Sequence, residues 1–482
     1  MLQISRKITC WTLISTLFFS LPVSGNDIKL PDFGDVTSGI ISHQQEYQLG
    51  REWLRAYRSR VAELNDPQIQ YYLENLLFKL AIYSELEDRR LELVMVNNST
   101  MNAFAVPGGV VGIHTGLFRY AENEHQLASV LTHEIAHLSQ RHFARRLEKQ
   151  RANTYLTMAG LLASLILAAT AGGDAGMAGM AATQAASLES QLRYSRQNEQ
   201  EADRLGIETL YQAGYDPLAA PAMFEGMLQA TRYIGSRPPE FLLTHPLTES
   251  RIADAQGRAR TYPFKHYPNP LDYQLMKARA LIYITDNPAL SIKYFSSEVS
   301  GDTASRIAAQ YGLAIAHLAN NDPQSAWKTL APLLANDSEN VYFRLAEAEI
   351  NRNQKKFDDA EKILKKLLAS HPDYYPAKIS LVRNYLAENR FHAAEKLLEE
   401  LSEQRPTDPF IWYDLAETRG LAGNISGVHL ARAEFFILVG AYDLALQQLG
   451  YARKLVTADY RQSAIISQRI RDLEEMQKDR KL

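Results

Sequence analysis

The residues of this chain best suited to chemistry form the motif His133-Glu134-Ile135-Ala136-His137. Two histidines four residues apart lie on one face of a helix, so both imidazoles can bind one metal ion. Glu134 stands beside the first histidine, where its carboxylate can take a proton from a metal-activated water. The motif predicts a zinc peptidase site with Glu134 as the general base; a chance occurrence is the alternative.

A second acidic cluster offers a third ligand, since catalytic zinc sites usually hold three protein ligands and a water. Glu199 and Asp203 are four residues apart in a helical segment and therefore face the same way. One carboxylate can bind the metal while the other accepts the free ring N–H of a ligating histidine. Glu201 points about 160° away from Glu199 on a helical wheel, so only one of these two glutamates can be the ligand. A solvated acidic face is the alternative interpretation.

Strands and a helix must position these residues. Residues 122–150 predict one long helix that carries the histidine motif and buries Leu127, Val130 and Leu131. Three preceding segments have the composition of strands, and a Gly108-Gly109 turn joins the last two: 91–97, 102–107 and 110–114. Residues 26–262 are therefore predicted to be an α+β peptidase domain, mostly α, with a small antiparallel sheet.

The C-terminal part of the chain repeats with a period of 34 residues. Ala326, Ala360 and Ala394 follow this spacing, as do Pro372 and Pro406. Small residues at helix contacts and a proline that closes each unit are typical of tetratricopeptide repeats. Such an array leaves a concave surface free to bind, because each helix pair buries its apolar face only against its neighbours. We predict an α-solenoid over residues 268–470 and a charged C-terminal tail at 471–482; a generic helical array is the alternative.

The first 25 residues predict a cleavable secretory signal peptide. Arg6 and Lys7 precede an acid-free apolar run, residues 8–23, and small residues stand at the expected cleavage point. An uncleaved anchor is the alternative. Cys10, the single cysteine, lies in this segment, so a mature chain has no thiolate and must hold zinc with histidines and carboxylates. The expected location is the periplasm of a Gram-negative bacterium.

Composition and one apolar segment limit the partners. The net charge of −3 gives no reason to expect a nucleic acid partner. Residues 155–173 carry no charge and are just long enough to span a bilayer. A mobile lid or packed helix is the preferred interpretation, because alanine and glycine supply little insertion energy. We expect peripheral or no membrane contact.

These features resemble the gluzincin metallopeptidases of the HtpX and CAAX-prenyl-protease family. The resemblance lies in the histidine motif and in two segments, Asn198-Glu199-Gln200-Glu201-Ala202-Asp203 and Asn102-Ala103-Phe104-Ala105-Val106-Pro107. It implies one zinc ion per chain, held by His133, His137 and Glu199, with Asp203 behind them. Glu199 is preferred to Glu201 because only Glu199 has an aspartate at the fourth position beyond it.

The resemblance implies roles for two further segments. Asn102, Ala103, Phe104 and Ala105 resemble the edge strand onto which the substrate backbone pairs; an ordinary sheet edge is the alternative. The stretch Thr244-His245-Pro246, with Arg251 after it, resembles a sequence late in these peptidase domains. It implies that His245 either stabilises the oxyanion or reaches the zinc as a fourth ligand that blocks water, and that Arg251 supports the ligands.

A signal peptide, this peptidase domain and C-terminal repeats together resemble one subgroup of periplasmic peptidases. That resemblance implies a zinc endopeptidase with chaperone-like activity that degrades misassembled outer-membrane β-barrel proteins. The implied partners are unfolded or misassembled outer-membrane proteins and, through the repeats, the barrel-assembly machinery. The alternative is mainly a tetratricopeptide-repeat chaperone or scaffold with a latent, gated peptidase.

Overall fold

The structure is a computed structural model, and it describes residues 42–145, 196–233, 239–285 and 287–481. The predicted signal peptide, residues 1–25, and the uncharged segment at 155–173 lie outside these residues. Within the described ranges, no helix combines the length and the apolar composition needed to cross a membrane.

Two helices open the described chain, α1 (His43–Arg58) and α2 (Pro67–Ile82). Asp66 caps α2, because its carboxylate accepts hydrogen bonds from the backbone N–H groups of Gln68 and Ile69. Pro67 occupies the first helical position, where its missing N–H has no helical partner to lose.

A three-stranded sheet follows, and its strands are β1 (Glu92–Val96), β2 (Ala103–Val106) and β3 (Val110–His114). The spatial order is β1-β3-β2, with β3 antiparallel to β2 and parallel to β1. The predicted small sheet is confirmed, but the antiparallel prediction is wrong for the β1–β3 pair. The chain reverses direction once before β2 and again at the Gly108-Gly109 turn. β3 therefore lies between β1 and β2 and runs in the same direction as β1.

The histidine motif lies on α4 (Glu124–Ser139), after the short helix α3 (Leu117–Tyr120). Every residue of α4 from Glu124 to His137 is buried. The helix ends at Ser139, earlier than predicted, because Arg141 adopts a left-handed conformation with φ of 48°. A further helical segment then begins at residue 142.

Four helices complete the described part of the predicted peptidase domain: α5 (Arg196–Gln212), α6 (Ala219–Tyr233), α7 (Glu240–Thr244) and α8 (Glu249–Ala259). α5 packs along α4, and α8 packs against α5 and α6. The contact between α4 and α5 is close at Gly206, where a Cβ atom would lie 3.2 Å from the His133 backbone nitrogen. A Cβ atom at position 206 would require α4 and α5 to move apart by a few tenths of an ångström.

The C-terminal part is a stack of antiparallel helix pairs, which confirms the predicted repeat array. Ala326, Ala360 and Ala394, the residues spaced by 34, are fully buried where helices touch. The last helix continues into the predicted charged tail as far as Lys481. The helices are α9 (Leu271–Ile284), α10 (Pro288–Ser300), α11 (Arg306–Ala319), α12 (Pro323–Asn336), α13 (Val341–Asn353), α14 (Phe357–Ser370), α15 (Tyr375–Ala387), α16 (Phe391–Gln404), α17 (Pro409–Ala422), α18 (Ile425–Leu438), α19 (Tyr442–Leu455) and α20 (Tyr460–Lys481).

The repeats pack directly against the peptidase domain through α2, which contacts both α9 and α15. One apolar core runs from α2 through the sheet and α4 into the first repeats, as far as Ile350. A buried ion pair crosses the junction, with Arg279 Nε 2.6 Å from Asp66 Oδ2. A second pair joins Arg405 of the repeats to Glu74 at 2.6 Å. The N-terminal domain and the repeats therefore share one apolar core and are joined by more than a linker.

Candidate metal centre

Four side chains converge at the centre of the peptidase domain: His133, His137, Glu199 and His245. All four are buried, and one ligand atom from each lies within 4.8 Å of the others. The measured N–N and N–O separations between neighbours run from 3.1 Å to 3.5 Å. Ligand atoms about 2.0–2.1 Å from a tetrahedral ion lie about 3.3–3.4 Å from one another. The four side chains therefore fit a tetrahedral metal ion.

Three separate segments bring these ligands together. His133 and His137 come from α4, one turn apart, and Glu199 comes from the first turn of α5. His245 follows α7 as its C-terminal capping residue. The structure thus places the predicted ligands His133, His137 and Glu199 around one point, and it adds His245 to them.

Asp203 and Arg251 support the ligands from behind. His133 turns Nε2 to the cluster, and its Nδ1 lies 3.0 Å from Asp203 Oδ1. Arg251 makes a bidentate ion pair with Asp203, both contacts at 2.7 Å, and its Nη1 lies 2.9 Å from Glu199 Oε2. Burial raises the pKa of Asp203, but Arg251 and His133 outweigh it and hold that pKa below its ordinary value. The anionic Asp203 can therefore accept the Nδ1–H of His133 and leave Nε2 free to bind a metal.

Glu134 lies beside the ligands with a side chain that is 1% exposed. Its Oε1 has no hydrogen-bond partner among the described residues, and His245 Nε2 lies 3.5 Å from it. Burial raises the pKa of Glu134, while the nearby His245 and His133 and a hydrogen bond from the Ala105 backbone oppose the shift. A buried carboxylate with a raised pKa is a stronger proton acceptor than an exposed one.

His245 occupies the position between the ligands and the base. Its Nδ1 lies 3.2 Å from Glu199 Oε1 and 3.3 Å from His133 Nε2, while its Nε2 points to Glu134. The ring of Phe241 packs against it with centroids 4.7 Å apart. One nitrogen of His245 therefore stands in the ligand cluster, and the other faces the base.

The predicted edge strand β2 runs beside this cluster, and only its β3 side is paired in the described sheet. The His114 N–H donates to the Asn102 carbonyl, so the alternation of an antiparallel ladder turns the polar backbone groups of Phe104 toward β3. The same alternation turns those of Ala103 and Ala105 away from β3, toward α4. These two residues present backbone groups on the side of the metal centre.

The segment that carries His245 is fastened to the start of this strand. Asn102 donates through Nδ2 to Glu240 Oε2 at 3.2 Å, and the Phe241 N–H donates to the Met101 carbonyl at 3.3 Å. Both contacts come from α7, immediately before His245. The position of His245 and the position of the edge strand are therefore linked.

Sequence reasoning missed a group of polar residues behind His137. His142 Nδ1 lies 2.8 Å from His137 Nδ1, and His142 Nε2 lies 3.0 Å from Glu201 Oε2. Arg145 Nη2 also lies 3.0 Å from that oxygen. Burial raises the pKa of Glu201, but the hydrogen bond from His142 and the charge of Arg145 outweigh it and lower that pKa.

The helix break explains why His142 was missed. In one continuous helix, residues five apart point about 140° away from each other, so His142 would face away from His137. The left-handed Arg141 ends α4 and turns the chain, which brings His142 back against His137. The signal in the sequence was the position of Glu201, two residues beyond Glu199, where it faces away from the metal and can serve another group.

Comparisons with known proteins agree with this geometry. A family model described as "Peptidase family M48" matches residues 67–259, and one described as "Tetratricopeptide repeat" matches residues 352–416. The chain is 36% identical over 451 residues to the Beta-barrel assembly-enhancing protease of Escherichia coli (strain K12), which covers 93% of this chain and 92% of the relative. It is 34% identical over 451 residues to the protein of the same name from Yersinia pestis, covering 92% of each chain.

Both relatives align along nine tenths of the chain, through the peptidase domain and the repeats together. The matched segment 67–259 includes the whole cluster of candidate ligands and Glu134. This chain belongs to peptidase family M48 and is a metallopeptidase with C-terminal tetratricopeptide repeats.

Proposed function

We propose that the protein is a periplasmic zinc endopeptidase that degrades misassembled outer-membrane β-barrel proteins and also gives chaperone-like help in their assembly. The observation that carries the chemical part is the tetrahedral spacing of His133, His137, Glu199 and His245, with Glu134 beside them. Imidazole and carboxylate donors in tetrahedral geometry suit zinc. The names of the relatives support the biological setting.

The proposed hydrolysis divides the work among residues of the centre. His133, His137 and Glu199 would hold the zinc ion, which supplies a Lewis acid and a water with a pKa lowered to about 7. Glu134 accepts the proton of the attacking water and passes it to the leaving amine. The outward backbone groups of Ala103 and the outward carbonyl of Ala105 hold the substrate as an added strand, while the Ala105 N–H donates to Glu134.

We further propose that His245 is a fourth ligand that keeps the peptidase latent. Its Nδ1 has the spacing of a ligand, and a zinc site closed by four protein ligands leaves no position for water. Substrate must therefore displace His245 before hydrolysis. Because α7 is fastened to Asn102, a strand that pairs along β2 reaches the same contacts that hold His245 in place.

The repeats are proposed to bind the barrel-assembly machinery and unfolded outer-membrane proteins. Tetratricopeptide arrays form extended binding surfaces, and this array exposes aromatic side chains to solvent. Trp327, Tyr413 and Tyr294 are 41%, 50% and 47% exposed. Exposed aromatic side chains suit the binding of extended apolar segments of unfolded proteins.

The test of the enzymatic proposal is the substitution Glu134→Gln, which removes the base and keeps the shape of the side chain. Zinc content should stay at one ion per chain, while casein cleavage should fall by about 10²–10⁴-fold. Glu208→Gln, on the exposed face of α5, is the control and should cleave normally. Undiminished cleavage by the Glu134 variant would rule out the mechanism.

A second candidate function, a repeat scaffold with a gated peptidase, is favoured by the place of His245 among the ligands. The discriminating test is envelope function in cells that lack the protein and carry the full-length Glu134→Gln variant. Complete rescue supports scaffolding as the main role, whereas failure to rescue supports proteolysis. Truncation after residue 265 is a poor test, because the peptidase core continues into the repeats.

A further inference from the structure

Among the described residues, the two histidines of the helical motif have different neighbours at Nδ1: a carboxylate for His133 and an imidazole for His137. His133 Nδ1 lies against Asp203, which Arg251 neutralises. His137 Nδ1 lies instead against another imidazole, that of His142, at 2.8 Å. The ring centroids of these two histidines are 4.9 Å apart at an interplanar angle of 74°.

The inference rests on the proposed function, in which His137 binds zinc through Nε2. A neutral imidazole carries one N–H, so a His137 that binds through Nε2 must carry its proton on Nδ1. That N–H then donates to His142 Nδ1, which must be the unprotonated nitrogen of its ring. The proton of His142 is therefore on Nε2, where it donates to Glu201 at 3.0 Å.

The series of hydrogen bonds from His137 through His142 ends at a carboxylate paired with an arginine, as does the contact of His133. Arg145 lies 3.0 Å from the Glu201 oxygen that accepts from His142, just as Arg251 pairs with Asp203. Each metal-binding histidine is thus anchored to a carboxylate that an arginine neutralises. His142 is fully buried and connects Glu201 of α5 to the Nδ1 side of His137.

We propose that His142 is a positioning residue for the metal ligand His137, which it holds in the metal-binding tautomer and orientation through Glu201 and Arg145. Metal-ligating histidines generally donate their second N–H to a fixed acceptor, which raises their basicity as ligands. The His142 imidazole lies between Glu201 and His137 and hydrogen-bonds to both, so Glu201 polarises His137 through His142 without touching it. Glu199 of α5 therefore lies on the Nε2 side of His137, and Glu201 acts on its Nδ1 side through His142.

The test compares zinc affinity, measured by competition with a chelator, in full-length variants of His142. His142→Phe keeps a planar ring and removes the acceptor, and its zinc dissociation constant should rise about 10–100-fold. His142→Gln keeps an acceptor for His137 and a donor for Glu201, and it should bind zinc with nearly wild-type affinity. Glu201→Gln should weaken binding less than His142→Phe, and the exposed Glu208→Gln should have no effect.

The melting temperature of each metal-free variant separates positioning from a merely structural role. The proposal predicts similar melting temperatures for the metal-free wild-type, His142→Phe and His142→Gln proteins. Wild-type zinc affinity in His142→Phe overturns the proposal, as does equal loss in the Phe and Gln variants. If the wild-type protein binds no zinc, the proposed function fails first, so the two failures are distinguishable.

Discussion

At the scale of single residues, three of the four candidate ligands of the metal centre have a second polar contact that fixes their direction. His133 contacts Asp203, Glu199 contacts Arg251, and His137 contacts His142. These contacts are buried, so water does not compete for them, and each holds a side chain in one of its rotamers. The centre is therefore preorganised for a metal ion.

Removal of His245 should open the metal centre. In His245→Ala the three remaining ligands keep zinc, and casein cleavage should rise several-fold because the site no longer spends most of its time closed. The exposed His266→Ala serves as the control. Lower cleavage with zinc retained would indicate that His245 stabilises the oxyanion and does not block the site.

Zinc binding should depend on pH through His133. Burial lowers the pKa of His133, but hydrogen bonds to Asp203 and Glu199 outweigh it and raise that pKa to about 10 in the metal-free site. The ring is then protonated at pH 7 and must lose a proton to bind metal. Burial holds the pKa of His137 well below 6.5, so that ring is already neutral.

Zinc affinity should accordingly rise by about tenfold per pH unit between pH 7 and the pKa of His133. Calorimetry in buffers with different heats of ionisation should detect about one proton released per zinc at pH 7. Binding without proton release would show that His133 is neutral before the metal arrives.

The sequence allowed part of this centre to be predicted. Helical spacing alone places His133 over His137, and Glu199 over Asp203, so these pairs could be predicted before any fold was known. His142 could not, because its direction depends on the left-handed Arg141. His245 was identified by resemblance, but its place among the ligands depends on contacts between segments far apart in the chain.

At the scale of elements, strand β2 is held against the metal centre by the ring of Phe104. That ring lies over Gly112 of β3 and packs edge-to-face against Trp53 of α1 at 5.7 Å. A Cβ atom at Gly112 would overlap the ring. Gly112 therefore lets Phe104 fix the edge strand in its observed position.

Gly112→Ala should displace Phe104 and distort β2. We expect a loss of about 1–3 kcal/mol in the free energy of unfolding, with cleavage reduced and zinc retained. Gly226→Ala is the matched control, since nothing lies within 4 Å of a Cβ there and alanine favours the helix by about 0.5–1 kcal/mol. Denaturant titration and casein cleavage measure both effects. Unchanged cleavage in a destabilised Gly112 variant would show that β2 does not position substrate.

The elements themselves were largely predictable from the sequence, but their pairing was not. Composition identified the three strands, and the Gly108-Gly109 turn identified the hairpin of β2 and β3. Whether β3 would pair with β1 as well depended on which side of β1 the hairpin returned to, and local sequence carries no information on that. The parallel pairing of β1 with β3 therefore depends on the tertiary structure and not on local sequence.

At the scale of the whole molecule, Asp66 joins the peptidase domain to the repeats. Its Oδ1 caps α2, while its Oδ2 accepts from Arg279 at 2.6 Å and from Tyr283 at 2.7 Å. Asp66 is fully buried and Arg279 nearly so. One side chain thus ends a helix and also neutralises a buried cation of the other domain.

Asp66→Asn should weaken this junction. Asparagine caps helices as well as aspartate does, so the change isolates the ion pair and leaves Arg279 uncompensated. The free energy of unfolding should fall by about 3–5 kcal/mol. Asp322→Asn, at the partly exposed N-cap of α12, is the matched control and should change stability little. A small effect at Asp66 would mean that the domains dock mainly through apolar contacts.

The same pair makes the junction sensitive to acid. Burial raises the pKa of Asp66, but Arg279 and Tyr283 outweigh it and lower that pKa below 3.8. A lowered pKa stabilises the fold at all pH values above 3.8 and loses that contribution as the pH falls through the folded value. The unfolding free energy of the wild type, measured from pH 7 down to pH 2, should begin to lose this contribution as the pH falls below 3.8, and Asp66→Asn should lack this part of the loss.

The repeat architecture followed from the period of 34 residues, but the docking of the repeats did not. Periodicity reports contacts between successive helix pairs, each within one local unit. The packing of α2 against α9 and α15 joins residues about two hundred to three hundred positions apart, and no local pattern marks it. The predicted boundary at residues 262–268 marks where the helical repeats were expected to begin. It does not separate two cores, because one apolar core extends across it.

The central claim is that His133, His137, Glu199 and His245 hold one zinc ion, and anomalous X-ray scattering tests it most directly. Diffraction data from crystals of the purified full-length protein, collected on both sides of the zinc absorption edge, locate the ion by its element. We predict one peak per chain, about 2.0–2.1 Å from one atom of each of the four side chains. A zinc-containing protein with no peak between α4 and α5, or with its peak elsewhere, would contradict the account.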